Sequence, residues 1–257
     1  VGYRASMITA HVLSAIGLIS LTVLPGLFSQ AWMGLFISVA IYAAGGGLLE
    51  VLVSPIVEAC PTDNKEKAMS MLHSFYCWGH VAVVLVSTIF FAVAGLKSWR
   101  LLALFWALVP IVNMILFFKV PIAPLVEEDE GLSLKALIGK RIFWGFMLLM
   151  ICAGASEQAV SQWASAFAEK GLGVSKAVGD LTGPMFFAVM MGTSRAVYGK
   201  YGEKVNLKKT MIASGILCIG SYFLISISPF PALGLLGCGL CGLSVGIMWP
   251  GAFSMAS

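Results

Sequence analysis

Eight stretches of the 257-residue chain stay apolar for about twenty residues, at roughly 5 to 25, 31 to 57, 68 to 95, 99 to 119, 142 to 167, 178 to 198, 209 to 228 and 231 to 256. A helix rises about 1.5 Å per residue, so each stretch is long enough to cross the roughly 30 Å hydrocarbon core of a bilayer. Lipid offers no partner to a backbone N–H or C=O, so only helices and closed barrels can cross it. The apolar-polar alternation of barrel strands is absent, which leaves helices. Composition agrees, with 59% hydrophobic and 11% charged residues, against roughly 25% charged in soluble domains. The expected fold class is an all-α polytopic membrane protein.

The chain opens on Val1, and its first apolar stretch begins within a few residues with no signal peptide before it. A fragment of a longer protein is expected. Six cysteines (Cys60, Cys77, Cys152, Cys218, Cys238 and Cys241) are scattered through apolar segments and read as packing residues. No metal, cofactor or nucleic-acid partner is expected, and a monomer in the inner or plasma membrane is. The net charge of +4 is modest, but its distribution orients the chain. With Val1 inside, only Lys97, Arg100, Lys170 and Lys176 of the 16 basic residues fall outside, which puts both termini in the cytoplasm.

An internal repeat sets the expected helix count. "MITAHVLSAIGLISLTVLP" (7 to 25) runs without a gap against "MIASGILCIGSYFLISISP" (211 to 229), and "GLLEVLVSP" (47 to 55) aligns with "GLSVGIMWP" (242 to 250). Spans one and two thus correspond to spans seven and eight, a repeat of six helices. Twelve are then expected in the whole protein, with two before Val1 and two after Ser257. An even repeat keeps both copies in the same orientation, the parallel-repeat plan of one large transporter class.

Polar residues within the spans are the candidates for function, since intramembrane ionisable groups are costly and concentrate in transport paths. On the second span Ala43, Gly47, Glu50 and Ser54 share one small, polar face, which can line a cavity or let another helix pack close. On the third, His73, Tyr76, Cys77 and His80 share a face, open to cavity lining or to interhelical hydrogen bonding. Metal binding fits poorly there, because residues seven apart lie two turns apart. The fifth span carries the most polar stripe, Gly154, Glu157, Gln158, Ser161, Gln162 and Ser165, with Trp163 beside it as a stacking group. That stripe can face a ligand or act as polar glue.

"VGYR" at the start and "RAVYGKYGEK" (195 to 204) resemble the loop signature of the major facilitator superfamily, a glycine followed by an acid and basic residues. Gly2, Arg4, Arg195, Lys200, Gly202 and Lys204 take the gating-loop positions, with Gly199 where the signature has Asp. The basic residues there can pair with acids or with helix C-termini. "GGGLLEVLVSPIVEA" with "MSMLHSFYCWGH" is similar to helices four and five of the fucose-proton symporter branch, with Ser54 in place of Asn and Tyr76 in place of an amide. "GIMWPGAFSMA" resembles that branch's tenth helix.

The resemblance implies a major facilitator fold. Residues 1–119 would supply helices three to six of the first half, 120–141 a cytoplasmic linker, and 142–257 helices seven to ten of the second. It implies proton-coupled symport of a small hydroxylated solute, a sugar, by alternating access, with Glu50 in proton coupling and sugar binding and the fifth span beside the central cavity. Glu50, Ser54, His73, Tyr76, Glu157, Gln158, Gln162 and Trp163 are the expected substrate or proton contacts, and protons, the solute and the bilayer the expected partners. A drug or metabolite exporter and a non-transporting membrane sensor stay open as alternatives. No metal-binding His motif, G-x-S-x-G or phosphate loop is present, so no enzyme is expected.

Overall fold

The computed structural model describes residues 2–62, 65–123, 134–201, 205–227 and 230–256, and among these there is no strand. Helices α1 (Tyr3–Leu27), α2 (Ala31–Glu58), α3 (Lys65–Ala94) and α4 (Trp99–Phe117) take up the first four apolar stretches. They are followed by a short α5 (Leu134–Ile138), α6 (Arg141–Ala166), α7 (Lys176–Asp180), α8 (Phe186–Tyr201), α9 (Leu207–Ile227), α10 (Pro231–Val245) and α11 (Met248–Ala256). Seven helices among the described residues are long and apolar enough to cross a membrane. The eighth expected span, 178 to 198, is helical from Lys176 to Tyr201 but divides at a π-helical turn, Leu181–Met185. Pro184 has no N–H to give the Asp180 carbonyl, and the backbone widens where that bond is lost. Within the expected linker, 120–141, α5 is helical, and 124–133 lie outside the described residues.

The chain forms two compact units, one of Val1–Asp63 with Phe90–Glu127, the other of Asn64–Ile89 with Glu128–Ser257. Most of α3 therefore groups with the later helices, although it lies among the first four spans in sequence.

In the first unit α1 packs along α2 and against α4. The α1–α2 seam closes on glycine: a methyl at Gly45 would lie 2.7 Å from the Ala10 carbonyl oxygen and 2.6 Å from the Ser14 nitrogen, and one at Gly17 would meet the Tyr42 backbone. Without a hydrophobic force between helices in lipid, such close backbone approach is what holds the pair together. Gly45→Ala is expected to cost about 1 to 3 kcal/mol through overpacking, read as a lowered thermal unfolding midpoint in detergent. Gly47→Ala, whose methyl meets nothing within 4 Å, should leave that midpoint in place.

In the second unit α8 packs against α10, α10 against α9, and α6 against the π turn and α11. Phe187, Met191, Cys77, Cys238, Cys241 and Val245 fill its core. Gly239 and Gly242 of α10 and Gly246 just beyond it let α10 approach Phe186, Phe187 and Ser194. The two repeated helix pairs, α1 with α2 and α9 with α10, each pack as neighbours. They differ at one point: α2 runs unbroken through Pro55, whereas its counterpart breaks at Gly246, the position aligned with Val51. Pro229, the end of the first repeat match, lies outside the described residues.

Candidate functional site

The polar stripe of α6 serves three different directions. Ala153, Glu157, Val160 and Ala164 form its buried face. Gln158 and Gln162 lie on an uncovered face and bond to each other, Nε2 of Gln162 donating to Oε1 of Gln158 at 3.2 Å. Trp163, 70% exposed, stands beside them. Toward the helix end Ser165 donates to Asp180, which also accepts from Lys176 at 3.2 Å. Gly154 faces the Trp249 ring of α11, which a methyl there would meet at 3.8 Å in ordinary van der Waals contact.

The buried Glu157 meets Arg195, whose guanidinium gathers four elements of the second unit. Nη2 donates to Glu157 Oε2 at 3.1 Å, Nη1 to the His73 carbonyl at 3.0 Å and to Cys77 Sγ at 3.2 Å, and Nε to the Gly246 carbonyl at 3.0 Å. The last bond has a cause in the sequence. In an unbroken helix the Gly246 carbonyl would accept from residue 250, but Pro250 has no N–H. Arg195 supplies the missing donor. The Arg195 side chain is 3% exposed and that of Glu157 11%, so the carboxylate is the outer member of the pair.

The resemblance puts Arg195 at a gating-loop position. It lies instead inside α8, buried. Its neighbourhood "TSRAVYGKYG" is polar enough to suggest a loop, but α8 continues to Tyr201. An ionised guanidinium is tolerated at that depth because every described contact is to an acid, a carbonyl, a thiol or an aromatic face. Neither Arg195's pairing with Glu157 nor its bond to Gly246 was found from sequence, although an arginine four residues before Gly199 and the Gly-x-x-x-Pro of 246 to 250 are the signals that carry them.

On α3, His73 contributes its carbonyl to Arg195, and its side chain is half-buried. The ring of Tyr76, 49% exposed, lies 5.7 Å from the guanidinium carbon in cation–π range. Tyr76, Cys77 and Glu157 thus surround Arg195. Among the described residues no set of three or more His, Cys, Asp or Glu is placed to hold a metal ion. A cavity of about 440 Å³ beside the π turn is lined by Leu181, Met185, Val189 and Leu235 among others, and holds none of the candidate residues.

In the first unit Glu50 is exposed on α2 and Ser54 is half-buried. The seam with α1 uses Gly34, Ser38 and Gly45. Glu50 lies off that seam, about 140° around the helix from Gly45. Gly46 and Gly47 are uncovered. Of the two openings left by sequence, close packing is used by Gly45, while the face of Gly47 and Glu50 is not engaged by α1. Val245, the residue aligned with Glu50 in the repeat, is by contrast buried in its unit's core.

Gly2 is the N-cap of α1, and Arg4 donates from Nη1 to the carbonyls of Phe117 and Phe118 at 2.8 and 2.9 Å. These end α4, so the cation satisfies carbonyls that have no helical donor and faces the negative end of the dipole. Arg4→Ala is expected to lower the unfolding midpoint by an amount equivalent to about 1 kcal/mol, discounted for partial exposure, with Arg4→Lys recovering part of it. Lys200 is exposed, its Nζ 5.3 Å from the Tyr201 ring centroid. Gly202 and Lys204 lie outside the described residues.

The family model described as Major Facilitator Superfamily matches residues 1–257. Among solved structures, a variant of the fucose:proton symporter of E. coli is similar, with a TM-score of 0.72 and 15% sequence identity over 99% of this chain and 69% of that one. At that identity the likeness concerns the fold. No curated protein matches the sequence.

Proposed function

The chain belongs to the major facilitator superfamily, and on that premise we propose that it is a secondary active transporter carrying a small hydroxylated solute of the sugar type together with protons. It is an integral, multi-pass membrane protein, and the proposed location is the inner or plasma membrane, as a monomer.

One observation carries the choice of a polar solute. Gln158 and Gln162 sit near the middle of the 31-residue helical span Arg141–Gly171, on a face that no described residue covers, beside the exposed ring of Trp163. Amides at that depth are tolerated where they meet water or a ligand, not lipid chains. Amides can both donate to and accept from hydroxyls, and an indole can stack on a sugar ring. The helix packs through its opposite face, which argues against the amides serving as glue.

Glu50 is the proposed proton site. Taking it out of water favours the neutral acid and wetting it favours the carboxylate, so a change of access loads and unloads a proton on one residue. The same proton decides whether Glu50 donates or only accepts toward a ligand, which links the two equilibria. Alternating access would come from two helical halves rocking about the site. His73, Tyr76 and Ser54 are proposed as further ligand contacts, and Gly2, Arg4, Lys200, Gly202 and Lys204 as parts of the gating loops. Uptake of a panel of labelled sugars by the full-length protein in vesicles tests the reading. Saturable uptake driven by an inward proton gradient is expected for at least one sugar. Failure of every sugar, with extrusion of amphiphilic cations from the same vesicles, would point to an exporter instead.

A further inference from the structure

We propose that the Arg195–Glu157 pair makes the preferred ligand a hydroxylated monocarboxylate, which displaces Glu157 from the guanidinium as Glu157 takes up a proton. The proposal rests on the transport reading above and narrows its substrate class.

Arginine does not lose its proton in a protein, so the charge of this buried site is set by what lies against it. Three of its contacts, to the carbonyls of Gly246 and His73 and to Cys77 Sγ, anchor the guanidinium on neighbouring elements and do not involve Glu157. The bond from Nη2 to Glu157 Oε2 is charge-assisted and one that another carboxylate can reproduce. Glu157 is the less buried member of the pair, and a carboxylate that takes its place on Nη2 leaves the other three contacts unchanged. Two carboxylates against one guanidinium would leave a net negative charge out of water. Protonation of one removes it. The balance is one ligand carboxylate and one proton in, giving ligand carboxylate on Arg195 and a neutral Glu157 acid, with no bond broken but hydrogen bonds.

The surroundings suit such a ligand. Tyr76, half-exposed over the guanidinium, offers a ring face at the edge of the site. Gln158 follows Glu157 on the uncovered face of α6 and can reach hydroxyls beyond the carboxylate. The titratable groups around the pair are His73, Tyr76 and Cys77 from α3, Tyr222 and Cys218 from α9 and Cys238 and Cys241 from α10, while α11 and the π turn Leu181–Met185 bring none. Lys176 and Asp180 of α7 lie toward the far end of α6, paired with each other. His73 is the one other group that ordinarily titrates near neutrality.

Calorimetric titration of the full-length protein in nanodiscs, at about pH 7.5 in buffers of different ionisation enthalpy, tests this with gluconate and galactose as probes. Gluconate is expected to compete galactose from the site and to take up one proton as it binds, the bond it makes to Arg195 replacing the one that Glu157 gives up. Glu157→Gln should bind gluconate with that proton uptake lost. Galactose binding that gluconate does not compete with would overturn the proposal, as would proton uptake kept in Glu157→Gln and lost in His73→Gln. If Glu157→Gln does not fold, the native protein's preference and buffer dependence decide alone. Proton flux driven by galactose without gluconate binding would sink this proposal and leave the transport reading standing, whereas no substrate-linked proton flux with any solute would sink the proton coupling on which both rest.

Discussion

Arg195→Ala is expected to destabilise the protein by about 3 to 5 kcal/mol, the cost of leaving a buried carboxylate without its counter-ion. Most of the folded population of a marginally stable protein would be lost, and the variant should elute from size exclusion as aggregate with no sharp thermal transition. The loss has two parts. Glu157 is left without the guanidinium that lies 3.1 Å from it, and the Gly246 carbonyl loses the donor that Pro250 cannot provide. The combined variant Arg195→Met with Glu157→Met separates them. It removes both charges in favour of apolar groups of similar volume, which is often neutral or stabilising, and leaves only the carbonyl unsatisfied at about 1 to 3 kcal/mol. Its unfolding midpoint should therefore lie well above that of Arg195→Ala and below that of the native protein. A midpoint for Arg195→Ala equal to the native one would mean that the pair holds nothing together.

Glu50→Gln is the second large effect. The amide keeps the size and much of the hydrogen-bonding capacity of the acid but carries no titrating proton. Accumulation of solute against a gradient should fall by about tenfold or more, a coupling loss of at least roughly 1.4 kcal/mol, while exchange of solute at equal concentrations continues. Because Glu50 is exposed on α2 and lies off the Gly34–Ser38–Gly45 seam, the unfolding midpoint should stay where it is. Loss of exchange as well as accumulation would make Glu50 a ligand contact rather than a proton site.

The helices could be read from sequence because lipid leaves the backbone one solution for a long apolar run, and the correspondence of α1 and α2 with α9 and α10 because the repeat kept Met7, Leu13, Gly47 and Pro55 in register, although the seam residues Gly17 and Gly45 fall opposite Ser221 and Leu240. The division of the sixth span could not be read from hydropathy, which does not register the one missing N–H of Pro184. The burial of Arg195 escapes the sequence for a related reason. Charge counting treats a cation near the end of an apolar run as loop, whereas its burial depends on acceptors from α3, α6 and the α10–α11 break that are 38 to 122 residues distant in sequence. Helical periodicity put Glu157, Gln158, Ser161 and Gln162 on one stripe, but a stripe two residues wide spans about 100°. Packing then divides it, with Glu157 turned to Arg195 and the glutamines left open. Tyr76 was grouped with His73 by spacing alone, and both now touch the same guanidinium, one by its ring and one by its backbone.

Proton movement linked to substrate tests the account most directly. Vesicles holding the full-length protein, with a pH-sensitive dye outside and no imposed gradient, would receive each uncharged sugar that supports saturable uptake, for which Glu50 is the proposed proton site. Alkalinisation outside on addition of that solute, abolished in Glu50→Gln, is the expected result. Saturable uptake of the same solute with no change in external pH would contradict proton coupling and leave a uniporter.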